Sequence, residues 1–213
     1  MLHTEEPGGG RRHRKRRQTM NHLAAAAMSL FRSRGYDAVT MEQIADAADV
    51  ARGTLYNHFP QKDALVAHWV EEQLAADLSR LAPMLGGGEG IAAKLELLLG
   101  ASADWCEAHR EDIQRYLRAQ FSGCAGLDGP GAAAGNALRD AFVQVIGQAQ
   151  SAGELQAEPP AEHLADLLNY LYAGALVRWL ASPGLSLRAE VMVVIGLFLH
   201  GSAASPSPSS SHN

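Results

Sequence analysis

A short run of polar side chains with hydrogen-bonding groups stands out in the first third of the chain. Within the seven residues "RGTLYNH", Arg52, Thr54, Tyr56, Asn57 and His58 follow one another with only a glycine and a leucine between them. These side chains donate and accept hydrogen bonds over a short reach. No activated nucleophile, carboxylate pair or phosphate-binding glycine loop accompanies them, so the set fits recognition of a polar surface better than catalysis.

The spacing of the apolar residues predicts that this run is a short helix with one buried face. Leu55 and Phe59 are four residues apart and share a face, while the polar side chains spread over the opposite side. A helix this short is not stable alone. We therefore expect Leu55 and Phe59 to dock against Ile44, Ala45 and Val50.

The preceding residues predict a second short helix and a tight turn. Thr40 with Gln43 three residues later forms a capping-box pattern, which marks a helix start. An earlier helix with apolar residues from Leu23 onward ends at Gly35, a typical C-cap. Two short helices joined by a turn at Asp49-Val50 are typical of the helix-turn-helix, whose second helix enters the DNA major groove. The alternative is a helical corner with a polar outside.

The remainder of the chain shows helical periodicity and no useful alternating pattern, so the predicted class is all-α. A long helix is expected from Gln61 to about Leu81, where Pro83 and the following glycines would end it. Further helices are expected over 89–109, 110–121, 132–152, 161–181 and 185–200.

Composition and charge exclude several classes of protein. The chain of 213 residues is 47% hydrophobic, and none of its apolar runs reaches the length of a membrane span. The first ten residues contain no apolar region, so we expect no secretory signal and a cytoplasmic location. The net charge of -5 divides into +4 up to Lys62 and -9 beyond it, which indicates that only the first part approaches a polyanion. Cys106 and Cys124 are expected to be free thiols.

The two ends are predicted to be disordered. Residues 1–17 contain glycines and the basic run "RRHRKRR", and residues 202–213 are rich in Ser and Pro. The run from Arg11 to Arg17 is either a phosphate-contacting arm or a solvated tail, and the sequence leaves both interpretations open.

The segment "AAAAMSLFRSRGYDAVTMEQIADAADVARGTLYNHFPQKDAL" resembles the N-terminal domain of the TetR family of transcriptional regulators. The matching positions lie in register over roughly residues 18–66: Phe31, Gly35, Thr40, Ile44, Ala45, Val50, Gly53, Thr54, Leu55, Tyr56, His58, Phe59, Lys62 and Leu65. Two positions depart from the family pattern. Asp49 replaces the usual turn glycine, and Ala51 replaces a Ser or Thr that would cap the recognition helix, a role that Asp49 is the alternative candidate to fill.

The resemblance implies a homodimer with a three-helix DNA-binding head over 18–66 and a helical ligand-binding and dimerisation body over 67–201. It implies base reading around Arg52, Gly53, Thr54 and Asn57. It implies phosphate contacts from Thr40, Tyr56, His58 and Lys62. The partners expected are a double-stranded DNA operator, a small-molecule effector and a second copy of the chain, with no membrane and no cofactor.

Aromatic and polarizable side chains of the body are the candidates to line an effector pocket. They are Trp105, His109, Tyr116, Phe121, Phe142 and Tyr170. The resemblance also implies that the last two helices form the dimer contact, with Leu168, Tyr172, Leu176, Trp179 and Val194 as interface residues. The apolar surface of the penultimate helix, which is too wide for a solitary helix to leave bare, is consistent with this. No metal site is expected, because His109 and His163 lack companion ligands at suitable spacing.

These observations favour a ligand-responsive repressor released from a pseudo-palindromic operator by a small molecule. An activator of the same fold is the alternative, and a helical adaptor that does not bind DNA is a weaker one. A small all-α enzyme with His58 or His109 as a base lacks the accompanying groups that such chemistry needs. The sequence identifies neither the effector nor the operator.

Overall fold

A computed structural model describes residues 8–122 and 137–202, with side chains over 12–118 and 137–201. This part of the chain is all-α, as predicted, and contains nine helices and no strand. The helices are α1 (Gly8–Arg34), α2 (Met41–Ala47), α3 (Arg52–His58), α4 (Lys62–Leu85), α5 (Ile91–Ala108), α6 (Arg110–Ser122), α7 (Ala137–Ser151), α8 (Ala161–Ala181) and α9 (Leu187–Ser202).

The chain divides into two compact units. The first is Met1–Gln73 with Arg115–Gly123, and the second is Leu74–Gln114 with Cys124–Asn213. The first unit therefore contains α1 to α3, the start of α4 and the end of α6, and extends beyond the 18–66 expected for the head. Helix α4 runs without interruption from the first unit into the second.

Local signals in the sequence place the first helices correctly. Gly35 has a φ of +83° and donates its N–H to the Phe31 carbonyl over 2.9 Å, so it ends α1 as expected. At the start of α2 the capping box is complete. The Gln43 amide donates to the Thr40 hydroxyl over 3.2 Å, and the Thr40 amide donates to the Gln43 side chain over 3.0 Å.

Two predicted boundaries were wrong. Residues 8–17 were expected to be disordered, but they form the first turns of α1, whose Arg, Lys and Gln residues are good helix formers. Residues 1–7 and 203–213 lie outside the described part. The second error concerns α4, which continues through Pro83 to Leu85. Pro83 lies in the last turn, where its missing N–H removes only one helical hydrogen bond.

A polar cluster joins α1 to α4 within the first unit. Arg17 donates twice to the Glu72 carboxylate, over 2.9 and 3.0 Å, and Asn21 donates to the same carboxylate over 2.9 Å. His68 Nε2 lies 2.7 Å from the Asn21 side-chain oxygen and so donates to it. Partial burial alone would raise the pKa of Glu72, but the hydrogen bonds from Arg17 and Asn21 hold it below its ordinary range. The cluster fixes the direction of α1 on α4.

The core of the second unit is formed by α5, α7, α8 and α9. Leu98, Phe142, Ile146, Leu168 and Leu187 are fully buried there. The ends of the helices are held by charged side chains. The Glu107 carboxylate accepts the Leu187 amide over 2.7 Å at the start of α9, where a negative charge is favourable. Arg110 donates to two carbonyls at the end of α8 and lies 4.3 Å from the centre of the Trp179 ring.

His68 makes the stability of the first unit sensitive to mild acid. Burial lowers the pKa of this imidazole below its ordinary 6.5, against the opposing effect of the Glu72 carboxylate. The folded state therefore binds the proton less tightly than the unfolded state. The contribution of His68 to the free energy of unfolding is fully present above pH 6.5 and decreases as the pH falls below that value. We expect His68→Gln, which keeps a donor for Asn21, to lose less stability than the wild type between pH 7.5 and 5.5.

Urea unfolding at both pH values measures this difference. His163→Gln is the matched control, since His163 is exposed on α8 and should leave the wild-type pH dependence unchanged. An identical decline in the free energy of unfolding for the wild type and His68→Gln would contradict the prediction.

Candidate DNA-binding site

The turn between α2 and α3 has the geometry of a helix-turn-helix. Asp49 adopts a φ of +52°, a conformation that Asp tolerates better than most side chains. The Val50 amide donates to the Ala45 carbonyl over 3.0 Å and so closes the end of α2. Ala51 is the N-cap of α3, and no side chain caps this end of the helix. Asp49 therefore does not supply the cap that Ala51 lacks.

Helix α3 is held by the two residues predicted to anchor it. Leu55 is fully buried and Phe59 is 2% exposed, and Ile44 and Ala45 of α2 are fully buried on the facing side. Burial of two such side chains stabilises the docked helix by about 1.5–3 kcal/mol each. This packing compensates for the low intrinsic stability of a helix of only seven residues.

The opposite face of α3 is open to solvent. Arg52, Gly53, Tyr56 and Asn57 are exposed, and Thr54 is half-buried beside them. A Cβ built on Gly53 meets no atom within 4 Å, so the interior of the protein does not require a glycine there. A surface without a side chain at this position permits close approach of another molecule.

Tyr56 and Thr40 connect this face to α2 through Glu42. The Tyr56 hydroxyl donates to the Glu42 carboxylate over 3.3 Å, and Thr40 caps α2 two residues before Glu42. Hydrogen bonds from its own backbone N–H and from Thr40 hold the pKa of Glu42 below its ordinary value. A carboxylate thus lies among the residues expected to meet phosphates, and sequence reasoning did not include it.

Lys62 holds the loop between α1 and α2 onto the start of α4. Its ammonium group donates to the carbonyls of Tyr36 and Val39, over 2.7 and 2.9 Å, and lies 4.4 Å from the centre of the Tyr36 ring. The Tyr36 hydroxyl donates to Asp63 at short range. Burial and the Asp63 carboxylate raise the pKa of Tyr36. The phosphate contact expected of Lys62 stays a prediction, since two of its three N–H groups bond to carbonyls.

His58 is half-buried at the end of α3, and its Nδ1 is enclosed without a hydrogen-bond partner in the described part of the chain. Its ring centre lies 6.5 Å from that of Phe59. The phosphate contact expected of His58 is thus restricted to the remainder of the ring.

The residues predicted to line an effector pocket have different environments where the structure describes them. Trp105 and His109 stack with ring centres 4.2 Å apart, and Tyr116 is half-buried on α6. Phe142 is fully buried in the core, whereas Tyr170 is 53% exposed. The side chain of Phe121 lies outside the described residues. The role of these side chains in effector binding stays a prediction.

A small cleft in the second unit has a different lining. It is open to solvent and has room for about one water molecule. It is lined by Leu74, Asp77, Leu78, Leu81, Leu98, Ala101, Ser102 and Leu138. The hydroxyls of Ser102 and Tyr172 share a hydrogen bond of 2.7 Å, and the Cys106 thiol lies 3.6 Å from the Tyr172 oxygen. Burial raises the pKa of Cys106 to about 11, so this thiol is poorly reactive.

The five residues predicted to form a dimer interface lie inside the chain. Leu168, Tyr172, Leu176, Trp179 and Val194 are at most 7% exposed, because they pack into the core of their own unit. The dimer contact expected of these five residues stays a prediction. The exposed apolar surface of α8 and α9 consists of their neighbours, and we name it the α8–α9 face: Leu167, Tyr170, Leu171, Val177, Met192, Val193 and Leu197.

The described residues contain neither a metal-binding cluster nor a membrane-spanning helix. They hold no group of three His, Cys, Asp or Glu side chains placed to bind a metal ion. None of their helices combines the length and the apolar character needed to cross a bilayer.

Comparisons with known proteins agree with the helix-turn-helix geometry. Residues 23–68 match the family described as bacterial regulatory proteins, tetR family. The regulator TcmR of Streptomyces glaucescens is 43% identical over 56 residues, which are 26% of this chain and 25% of that protein. The repressor KstR2 of Rhodococcus jostii is 31% identical over 94 residues, 44% of this chain and 46% of that protein. The chain thus spans between a quarter and a half of the length of these curated relatives.

Similarity in structure covers more of the chain. The TetR-family repressor FadR of Thermus thermophilus, solved in complex with lauroyl-CoA, superposes with a TM-score of 0.68 at 27% identity, over 91% of this chain and 100% of that one. These relatives are described as transcriptional regulators or repressors. Residues 23–68 are thus similar to the tetR family of bacterial regulatory proteins, and the described helices share the fold of a TetR-family repressor.

Proposed function

We propose that this protein is a ligand-responsive transcriptional repressor that binds operator DNA as a homodimer in the bacterial cytoplasm. The observation that carries the proposal is α3, with a buried apolar face and an exposed polar face behind a helix-turn-helix turn. The names of the relatives favour repression over activation, since KstR2 and FadR are both described as repressors.

On DNA, α3 would read base edges in the major groove. Arg52 and Asn57 have the guanidinium and amide groups that pair with guanine and adenine edges, and Gly53 permits close approach of the helix. Thr40 and Tyr56 at the border of this face would bond to phosphates, which set the register without reading sequence. Tyr56 would exchange its 3.3 Å bond with Glu42 for a phosphate oxygen.

The effector would bind in the cleft of the second unit. Its lining is apolar except for Asp77 and Ser102, so the ligand expected is largely apolar with a polar group for the Ser102–Tyr172 hydroxyl pair. FadR was solved with lauroyl-CoA, and a KstR2 is described as a ketosteroid regulator, which makes acyl thioesters and ketosteroids the first ligands to examine. A cleft with room for about one water molecule would have to widen considerably to admit either.

Helix α4 would connect the effector cleft to the DNA-binding helices, because the same helix lines the cleft and begins beside the loop before α2. Its residues Leu74, Leu78 and Leu81 line the cleft, and its first residue, Lys62, bonds to the loop before α2. A ligand that widens the cleft would favour a different position of α4. It would release DNA only to the extent that it binds the two states with different affinity.

The α8–α9 face would be covered by a second copy of the chain. Seven exposed apolar side chains on two adjacent helices exceed what scattered surface residues explain. Gly174 and Gly196, on the same helices, have no neighbour within 4 Å of a built Cβ, which leaves room for close approach of a partner helix. A two-fold arrangement of this face would give two α3 helices for a pseudo-palindromic operator.

The DNA-reading role of α3 is tested by Asn57→Ala and Tyr56→Ala. Duplexes enriched from a random library by the wild-type protein serve as the operator. We expect each variant to bind the enriched duplex at least tenfold more weakly in fluorescence anisotropy, because each loses a base or phosphate contact. Ser29→Ala, exposed on α1, is the control and should bind as the wild type does. Failure to enrich any sequence, or full affinity of both variants, would refute the role of α3.

The effector site is tested by filling the cleft with Ala101→Phe. Lauroyl-CoA and a 3-ketosteroid are titrated into the protein–operator complex. We expect at least one of them to release the wild-type protein, and the variant to need at least tenfold more ligand at unchanged DNA affinity. Circular dichroism checks that the variant is folded, and Ala101→Leu provides a smaller filling. Equal release of the wild type and both variants, or no release by either ligand class, would count against this site and these ligands.

The proposed dimer is tested by a charge placed on the α8–α9 face. Val193→Glu and Leu197→Glu replace side chains that are 58% and 63% exposed. We expect the double variant to be a folded monomer by light scattering and the wild type to be a dimer, because burial of an unpaired carboxylate is costly. Met84→Glu alters a 57% exposed side chain on α4 and should remain dimeric. A monomeric wild type, or an unaffected double variant, would exclude this face as the interface.

A further inference from the structure

The first turns of α1 carry a concentrated positive charge that the proposed function does not use. We name residues 12–16 the basic extension: Arg12, His13, Arg14, Lys15 and Arg16. All five side chains are exposed, and no acidic side chain in the described part pairs with them. Arg17, the next residue, differs because it is bonded to Glu72.

The charges of the basic extension destabilise the N-terminal end of α1 when nothing is bound there. Cations at a helix N-terminus oppose the helix dipole, and the first turn of α1 contains no acidic residue to offset this. Arg12 and Arg16 are four residues apart and repel each other, as do Arg12 and Lys15 at three. A polyanion would relieve both effects, so the charge pattern is one that a bound phosphate backbone stabilises.

The extension contributes nothing to the core of the protein. Burial in α1 begins at Leu23, and Arg12 lies about 16 Å before it along the helix at 1.5 Å per residue. The bonds from Arg17 and Asn21 to Glu72 hold the helix on α4 just beyond the extension. The five basic and imidazole side chains are therefore carried on an anchored helix in the same compact unit as α3.

The face around α3 is itself poor in positive charge. Arg52 is its exposed cation, Lys62 bonds to two carbonyls, and Glu42 adds a carboxylate beside Tyr56. Affinity for DNA depends mainly on cations that neutralise phosphates. The helix-turn-helix therefore needs an additional source of positive charge, and the basic extension is the strongest one in its unit.

We propose that the basic extension binds the phosphates of duplex DNA that flank the base pairs read by α3. Its cations point to different sides of the helix, with Arg12 and Arg16 on one side and Arg14 on the opposite one. A helix that lies on an acidic membrane needs an apolar face, and this segment has none. The contact is sequence-independent and adds affinity without altering base preference. This inference rests on the proposed DNA binding.

The test is a charge-neutral variant carrying Arg12→Gln, Arg14→Gln, Lys15→Gln and Arg16→Gln. Its matched control keeps the charge through Arg12→Lys, Arg14→Lys and Arg16→Lys. Binding is measured over a range of salt concentrations on two duplexes. One contains only the enriched site, and the other carries the same site with about ten flanking base pairs on each side.

On the flanked duplex, the neutral variant should bind at least tenfold more weakly, and the slope of log affinity against log salt should fall by about 2 to 4. The charge-preserving variant should bind as the wild type does, and base preference should be unchanged. On the short duplex all three proteins should be nearly equal. Circular dichroism reports whether the variants are folded.

Wild-type affinity of the neutral variant on the flanked duplex would overturn the extension's role and leave the reading by α3 intact. Absence of any sequence preference in the wild-type protein would instead refute the proposed function. A neutral variant that loses binding to phosphatidylglycerol vesicles but keeps full DNA affinity would assign the extension to lipid and overturn the inference. Equal losses for the neutral and charge-preserving variants would show that side-chain shape, not charge, is responsible, and would also overturn it.

Discussion

The docking of Leu55 and Phe59 under α3 is the interaction on which the site depends. Seven residues give too few internal hydrogen bonds for a stable helix, and Ala51 provides no side-chain cap at its start. The helix therefore exists because its apolar face is buried against α2. The same packing fixes its rotation, so that Gly53, Tyr56 and Asn57 face outward. The same buried contacts therefore hold α3 in place and direct its polar face to solvent.

Lys62 holds the following helix, α4, to the same group of helices. By donating to the carbonyls of Tyr36 and Val39, it ties the start of α4 to the loop that precedes α2. Displacement of α4 would break these bonds or move the loop with it. Lys62, which the sequence predicts to contact phosphate, therefore also ties α4 to the loop that leads into α2. The two roles compete for the same ammonium protons, which number three.

The sequence predicted features that depend on residues a few positions apart. The capping box of α2, the end of α1 at Gly35 and the anchors of α3 all involve spacings of five residues or fewer, where helix geometry determines contact. The bond between Arg17 and Glu72 joins residues 55 apart, and nothing in the local pattern marks that pairing. The sequence did not indicate which residues of α8 are exposed, for another reason. Leu167 and Leu168 are adjacent and equally apolar, and only packing decides that Leu168 is buried while Leu167 is 45% exposed.

In the proposed complex with DNA, the distribution of charge in the first unit would separate base reading from sequence-independent affinity. The exposed face of α3 carries hydrogen-bonding groups and few formal charges, which suits discrimination between base pairs, since a strong phosphate attraction there would favour all sequences equally. Sequence-independent attraction is better placed on an element that does not touch base edges. The first turns of α1 meet this condition, because they carry cations without partners in the described chain and are anchored by Arg17 and Asn21 to α4. The acidic remainder of the chain, with a net charge of -9 beyond Lys62, would then disfavour any orientation on DNA other than one led by this unit.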